Sequence, residues 1–123
     1  MKDIKTKDFD FDKIMKLLKD NNLPYSDIHS SGVEFMTSES NEKLVGCIGI
    51  EKYGEDGLLR SLAVEEEYKN SGVGKRLLNE LINKSKNEGI KKLHLLTTTA
   101  NKYFTRHGFR TIERINAPIT IPL

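Results

Sequence analysis

A chain of 123 residues with 20 lysines and arginines against 18 aspartates and glutamates has a formal net charge of only +2. The two signs are interspersed, so no basic stripe points to nucleic acid, and the length suits one domain, residues 1–123, with a single core. The lone cysteine, Cys47, excludes an internal disulfide and a cysteine-based zinc site. The charged N-terminus and the lack of an apolar run near ~18 residues predict neither a signal peptide nor a membrane span, hence a cytoplasmic protein.

In chain order, Ile4 sits in a short charged segment that suits an edge strand. Asp8 or Asp10 is placed to cap a helix carrying Phe11, Ile14, Met15, Leu17 and Leu18, which runs out at Asn21-Asn22 before Pro24. Tyr25 to His29 suits a further short helical turn. Val33 to Thr37 reads as a strand, Ser38 to Glu42 as a polar turn, and Lys43 to Tyr53 as a second strand, which together make a hairpin. Gly46 and Gly49 inside that strand mark either a bulge or the close passage of another backbone. A second hairpin follows at Gly54-Glu55-Asp56-Gly57, whose four-residue loop pairs Tyr53 with Leu58, Lys52 with Leu59 and Glu51 with Arg60.

Leu58 to Val64 is a compact apolar run broken once by Arg60, the length of a buried strand. It leads through Glu65-Glu66-Glu67-Tyr68 into Lys69-Asn70-Ser71-Gly72-Val73-Gly74. From there Val73, Leu77, Leu78, Leu81 and Ile82 fall at helical spacing until Gly89. Lys91 to Thr97 is a strand parallel to Leu58–Val64, joined by a right-handed crossover. A helix from about Thr99 reaches Gly108, Phe109 to Ile115 gives another strand, and Pro118 and Pro122 restrict Ile119 to Leu123 to a short edge segment.

The glycine-rich turn is where the chemistry concentrates. A helix start offers unpaired N–H groups and the positive end of its dipole, so an anion is held there without any particular side chain. Gly72 and Gly74 permit positive φ and leave no Cβ in the way, and Lys69 and Lys75 bracket the turn with charge. The plainer alternative is a tight strand-to-helix connection with solvated lysines. A P-loop would need glycine at Lys69 and Ser or Thr at Arg76, and a dinucleotide fingerprint would need glycine at Leu77.

Taken together, Leu62-Ala63-Val64 followed by Lys69-Asn70-Ser71-Gly72-Val73-Gly74, the strand Leu93-His94-Leu95-Leu96-Thr97, and Arg106-His107-Gly108-Phe109 resemble the core of the GNAT superfamily of N-acetyltransferases. Lysine stands in the basic first place of the family's glycine signature. The wording Leu58-Leu59-Arg60-Ser61-Leu62-Ala63-Val64, then Leu95 to Ala100, then Arg114 and Ala117-Pro118, is similar to the small acetyltransferases of arsenic-resistance operons.

The resemblance implies an α/β (α+β) fold: a mixed, mostly antiparallel sheet with a central parallel, splayed strand pair and flanking helices. It implies acetyl-CoA as cosubstrate, with no metal. The pantetheine arm would pair with the edge of Leu62-Ala63-Val64, as an added strand does, and the pyrophosphate would lie on the N–H groups from Asn70 to Gly74. The thioester carbonyl would lie near the N–H of Leu62 or Val64. Direct attack by an amine in a ternary complex would complete the transfer. The family's frequent tyrosine, four residues before the Gly of Gly-Phe, falls on Phe104 rather than Tyr103, and its frequent asparagine falls on Thr97. Both substitutions put tyrosine-acid chemistry in doubt.

Among side chains, Glu51 is the candidate base, with Glu34 behind it. Arg60, facing Glu51 across two strands, makes it a weaker base, yet suits a bidentate grip on a substrate carboxylate. A plain cross-strand ion pair is the equal alternative. His29 is a candidate substrate contact or a solvated loop histidine; Cys47, His94 and His107 receive no role. The expected partner is a small-molecule amine, an amino acid or analogue, and a homodimer is compatible with this reading. The competing functions are a module that binds acetyl-CoA without turnover and an acetyltransferase acting on protein amines.

Overall fold

The computed structural model describes residues 2–5, 11–28, 32–95, 110–111 and 119–122. Within them the chain runs β1 (Lys2–Lys5), α1 (Phe11–Asp20), β2 (Glu34–Ser40), β3 (Lys43–Tyr53), β4 (Asp56–Val64), a 3₁₀ turn (Glu66–Tyr68), α2 (Val73–Asn87), β5 (Lys92–Leu95), β6 (Arg110–Thr111) and β7 (Ile119–Pro122). The strands form one sheet in the order β1-β2-β3-β4-β5-β7-β6. Every neighbouring pair is antiparallel except β4 and β5, the mixed arrangement expected.

Both hairpins turn more tightly than the sequence predicts. Asn41 and Glu42 have φ of 51° and 64°, a two-residue loop with both residues left-handed, so β2 runs on to Ser40. At the second hairpin Tyr53 pairs with Asp56, and Gly54 supplies the positive φ (62°) that a two-residue loop needs. The expected pairing therefore slides by two: Glu51 faces Leu58, and Arg60 faces Gly49. A slip of two keeps every side chain on its own face, so Glu51 and Arg60 still meet, now as diagonal neighbours.

The alternation of β3 divides the core. Cys47 packs with Ile14, Leu17, Leu18, Phe35 and Ala63 beneath α1. Ile48 and Ile50 pack with Leu59, Val73, Leu77, Leu78 and Leu81 beneath α2. Gly46 adjoins a bulge in β3, where Val45 is the extra residue between the pairs Ser38–Gly46 and Glu39–Leu44. Its nearest neighbours are side chains rather than another backbone: a Cβ there would lie 2.7 Å from Val73 Cγ1 and 3.0 Å from Leu77 Cδ1, so its absence lets α2 settle onto the sheet.

A second bulge lies in β4. Between the pairs Gly49–Arg60 and Cys47–Ala63, Ile48 stands opposite both Ser61 and Leu62, and Ser61 takes φ of 60°. The extra residue rephases the strand, so that Arg60 and Ala63, three apart, both face α1 while Leu59, Leu62 and Val64 pack toward α2.

α2 closes as its sequence predicts. Gly89 (φ 85°) follows the last turn, the Ile90 N–H donates to Ser85 O (3.0 Å) and the Gly89 N–H to Lys86 O (3.1 Å), which is a Schellman closure. The tail departs from expectation. β7 is no edge segment, because it lies between β5 and β6, with four antiparallel partners in β5. Pro122 sits at the strand's last pair, opposite Lys92, so its missing N–H falls where the ladder ends.

Candidate active site

β4 and β5 share only three pairs, Asp56–Lys92, Gly57–Leu93 and Leu58–His94. Past Leu58, among the described residues, β4 continues to Val64 with no β5 partner, while Leu95 of β5 pairs with Ile119 of β7. The other edge of β4 stays on β3 through Ala63 and Val64. Among the described residues, the main chain from Arg60 to Val64 is therefore paired on its β3 edge alone, and the bulge at Ser61 adds local twist there. The side chains here are core: Ala63 is buried under α1, and Leu62 and Val64 pack against the α2 cluster.

β4 leads into the glycine turn. The Glu65 N–H donates to Val45 O (2.8 Å), the 3₁₀ turn follows, and then Asn70 (φ 65°) and Gly72 (φ 90°) both take left-handed conformations. Positive φ is thus used at Asn70 and Gly72; Gly74 lies inside the first turn of α2. Gly72 is the N-cap and supplies no capping side chain. The Ser71 hydroxyl, which might otherwise cap, donates back to the Tyr68 carbonyl.

The Arg76 N–H closes the first turn on Gly72 O (3.0 Å), so the N–H groups of Val73, Gly74 and Lys75 have no acceptor within the helix. A Cβ built on Gly72 would meet nothing within 4 Å, which leaves the approach to these groups clear. Val73 itself is buried and offers only main chain. Lys75 is exposed, whereas Lys69 is paired with Glu66 (3.0 Å) on its own turn.

On the α1 face beside the β4 bulge, five side chains meet. Arg60 Nη1 and Nη2 donate to Asp27 Oδ2 (2.7 Å) and Oδ1 (2.8 Å), a two-pronged pair. Arg60 Nη1 also reaches Glu51 Oε2 (3.3 Å), and Nε donates to Ser61 Oγ (3.0 Å). The Tyr53 hydroxyl donates to Glu51 Oε1 (2.6 Å). Glu51 is buried, while Tyr53 is 59% exposed.

The electrostatics follow these contacts. The Arg60 hydrogen bond holds the Asp27 carboxyl below the ordinary range, and Asp27 in turn holds the guanidinium proton more tightly. The bond to Glu51 raises the Tyr53 hydroxyl, which therefore stays protonated. Burial pushes the Cys47 thiol up to about 12, which removes it as a nucleophile.

One site expectation is corrected. Glu34 does not stand behind Glu51. It pairs with Ile50, so it lies on the opposite face, where it joins Lys52 (3.1 Å) in a surface network with Glu88 and Lys84 at the end of α2. Arg60 meanwhile carries the Asp27 carboxylate on the end of its guanidinium.

Sequence reasoning missed Asp27, Tyr53 and the role of Ser61. Tyr53 had a signal, since two residues along a strand share a face with Glu51. Asp27 had none, being 33 positions from Arg60 in a loop. Phe104, Tyr103, Thr97, His29, His107, Gly108 and Phe109, with the expected helix from Thr99, lie outside the described residues. Among the described residues no cluster of His, Cys, Asp or Glu is placed to hold a metal ion, and no helix is long and apolar enough to cross a membrane.

A model of the acetyltransferase (GNAT) domain matches residues 31–111. The amino-acid acetyltransferase of Neisseria meningitidis serogroup A is 33% identical over 89 residues, which is 71% of this chain and 20% of that protein. The chain thus spans about a fifth of the length of the curated relatives it matches. Among solved structures, N-acetylglutamate synthase from Neisseria gonorrhoeae, complexed with coenzyme A and L-arginine, superposes with a TM-score of 0.84 at 24% identity, over 99% of this chain and 33% of that one. An acetyltransferase of the GNAT family from Staphylococcus aureus Mu50 gives 0.83 at 19% identity, over 99% of this chain and 98% of its own.

Proposed function

The chain belongs to the GNAT acetyltransferase family, and from that premise we propose that it transfers an acetyl group from acetyl-CoA to the amine of a small, amino-acid-like molecule. The observation that carries the reading is that, among the described residues, the parallel ladder runs only to Leu58–His94 and the rest of β4 is paired on its β3 edge alone, beside a helix start with bare N–H groups.

The residues present fit such a donor. The N–H groups of Val73, Gly74 and Lys75, with the left-handed Asn70 and Gly72 before them and the clear space over Gly72, suit a pyrophosphate, whereas the Ser71 N–H is taken by Tyr68 O (3.3 Å). The edge of Leu62, Ala63 and Val64 away from β3 suits the amides of a pantetheine arm. Acetyl-CoA supplies the acyl group as a thioester, and a main-chain N–H of Leu62 or Val64 stabilises the charge that develops on its carbonyl oxygen.

Opposite this edge the chain offers Glu51 as proton acceptor. Because Glu51 is buried behind Tyr53, the exposed Tyr53 hydroxyl is the group through which the amine's proton moves inward. Amine choice follows from energetics: neutralising a lysine-like amine at pH 7 costs about 4.6 kcal/mol, an α-amine only about 1.1. An α-amine thus suits a base restrained by a guanidinium, and Arg60, adjoining the bulge, is the group to receive the α-carboxylate. The names of the matched relatives support an amino-acid acceptor. A cytosolic location would supply the donor.

The test is a calorimetric titration with acetyl-CoA, followed by amine-dependent release of CoA across the amino acids. Arsenic-bearing amino acids join that panel because of the resemblance carried by Leu58 to Val64. Acetyl-CoA binding with no amine-dependent release would favour a non-catalytic binding module, and failure to bind would overturn the reading.

A further inference from the structure

Asp27 is the one residue of the site cluster that comes from outside the sheet. It sits in the turn at residues 26–28, after α1, and reaches 33 positions along the sequence to place both carboxylate oxygens on the end of the Arg60 guanidinium, at 2.7 and 2.8 Å. That end-on, two-pronged geometry is the one a free carboxylate adopts on arginine. The two partners differ in exposure: the Arg60 side chain is 16% exposed and Asp27 is 49% exposed, so the fixed half of the pair is the cation and the solvent-facing half is the acid. Arg60 is held from below by Glu51 and Ser61, contacts that do not depend on Asp27.

We propose that Asp27 is an internal stand-in for the acceptor's carboxylate and so a specificity-determining residue: it satisfies Arg60 when no acceptor is present and is displaced by an incoming carboxylate. The inference rests on the reading of Arg60 as the acceptor's carboxylate partner. Its consequence is a threshold. An amine without a carboxylate cannot displace Asp27 and gains nothing from Arg60, whereas an amino acid exchanges one carboxylate for another and keeps the guanidinium paired throughout. The apparent affinity for acids is then reduced by the fraction of time that Asp27 holds the fork.

The test compares the wild-type chain with Asp27→Asn, which keeps the shape of the side chain and removes its charge, and with Asp27→Glu, which retains the charge. Binding of sodium acetate and of L-glutamate is followed through the arginine Nε–H signals by NMR. In parallel, KM is measured for amino acids and for the matching amines that lack the carboxylate. The expected result is a gain in carboxylate affinity for Asp27→Asn, roughly tenfold if Asp27 holds the fork about nine-tenths of the time. KM should fall to match for amino acids only, and Asp27→Glu should behave as wild type.

Unchanged or weaker carboxylate binding in a folded Asp27→Asn overturns the proposal. So does an equal gain for amines without a carboxylate, which would report only a loosened loop. The binding arm needs no turnover: if no amine is acetylated while acetate still binds Asp27→Asn more tightly, the enzymatic reading falls and the Asp27 exchange stands.

Discussion

Arg60 meets Asp27, Glu51 and Ser61 through three of its nitrogens, which uses most of the guanidinium's five N–H groups. Arg60→Ala should therefore raise the acceptor KM by about tenfold to a hundredfold, the range for a charge-assisted bidentate contact of about 1.5–3 kcal/mol, with acetyl-CoA affinity unchanged. Steady-state kinetics with each substrate varied in turn decide it, and unaltered acceptor kinetics would remove Arg60 from the site. The Asp27 partner gives a pH signature. Its carboxyl is held below the unfolded value of about 3.9, so the stability it adds is fully present above that pH and disappears as pH falls through the lower folded value. Denaturant titrations of wild type and Asp27→Asn should differ at pH 7 and converge in strong acid; an undiminished difference there would contradict the pairing. Cys47, buried with its thiol at about 12, should react with a thiol reagent no faster than the native chain opens.

Among the elements, β3 and β4 show what the sequence disclosed and what it withheld. The apolar alternation of β3 and the helical spacing from Val73 fix which residues face the core, and those periodicities survive folding. The hairpin register does not follow from alternation, because a slide of two residues preserves every face; the choice lay with Gly54 and the left-handed residues of a two-residue loop. Likewise the β4 bulge shows as no sequence feature of Ser61, a residue that seldom takes φ of 60°, whereas Gly46 both adjoins the β3 bulge and makes room for Val73. β7 was misread because proline was weighed without knowing that it would close the strand rather than interrupt it. Gly46→Ala should destabilise the chain by about 1–3 kcal/mol through overlap with Val73, a stiff β-branched neighbour. Ser61→Gly should keep the fold, while Ser61→Val, β-branched in a left-handed position, should cost about 1–3 kcal/mol. Thermal and denaturant unfolding of the three variants test this, and a stabilised Gly46→Ala would mean that α2 does not lie so close to the sheet.

At the scale of the whole molecule, two clusters packed on opposite faces of one sheet hold β4 by its side chains. Its main chain is thereby left to serve on the edge away from β3. The side chains proposed for catalysis are grouped on the α1 face, and the turn proposed to hold the anion opens α2. Gly72→Asp should weaken acetyl-CoA binding by placing charge and a strained left-handed Cβ over the bare N–H groups, and calorimetry reads that loss directly. The most direct measurement of the central claim is an amide NMR titration of the whole chain with acetyl-CoA. The expected result is saturable shifts and slowed hydrogen exchange at Leu62 to Val64 and Asn70 to Lys75, with the β2–β3 hairpin unmoved. Binding that leaves those amides untouched, or no binding at all, would contradict it.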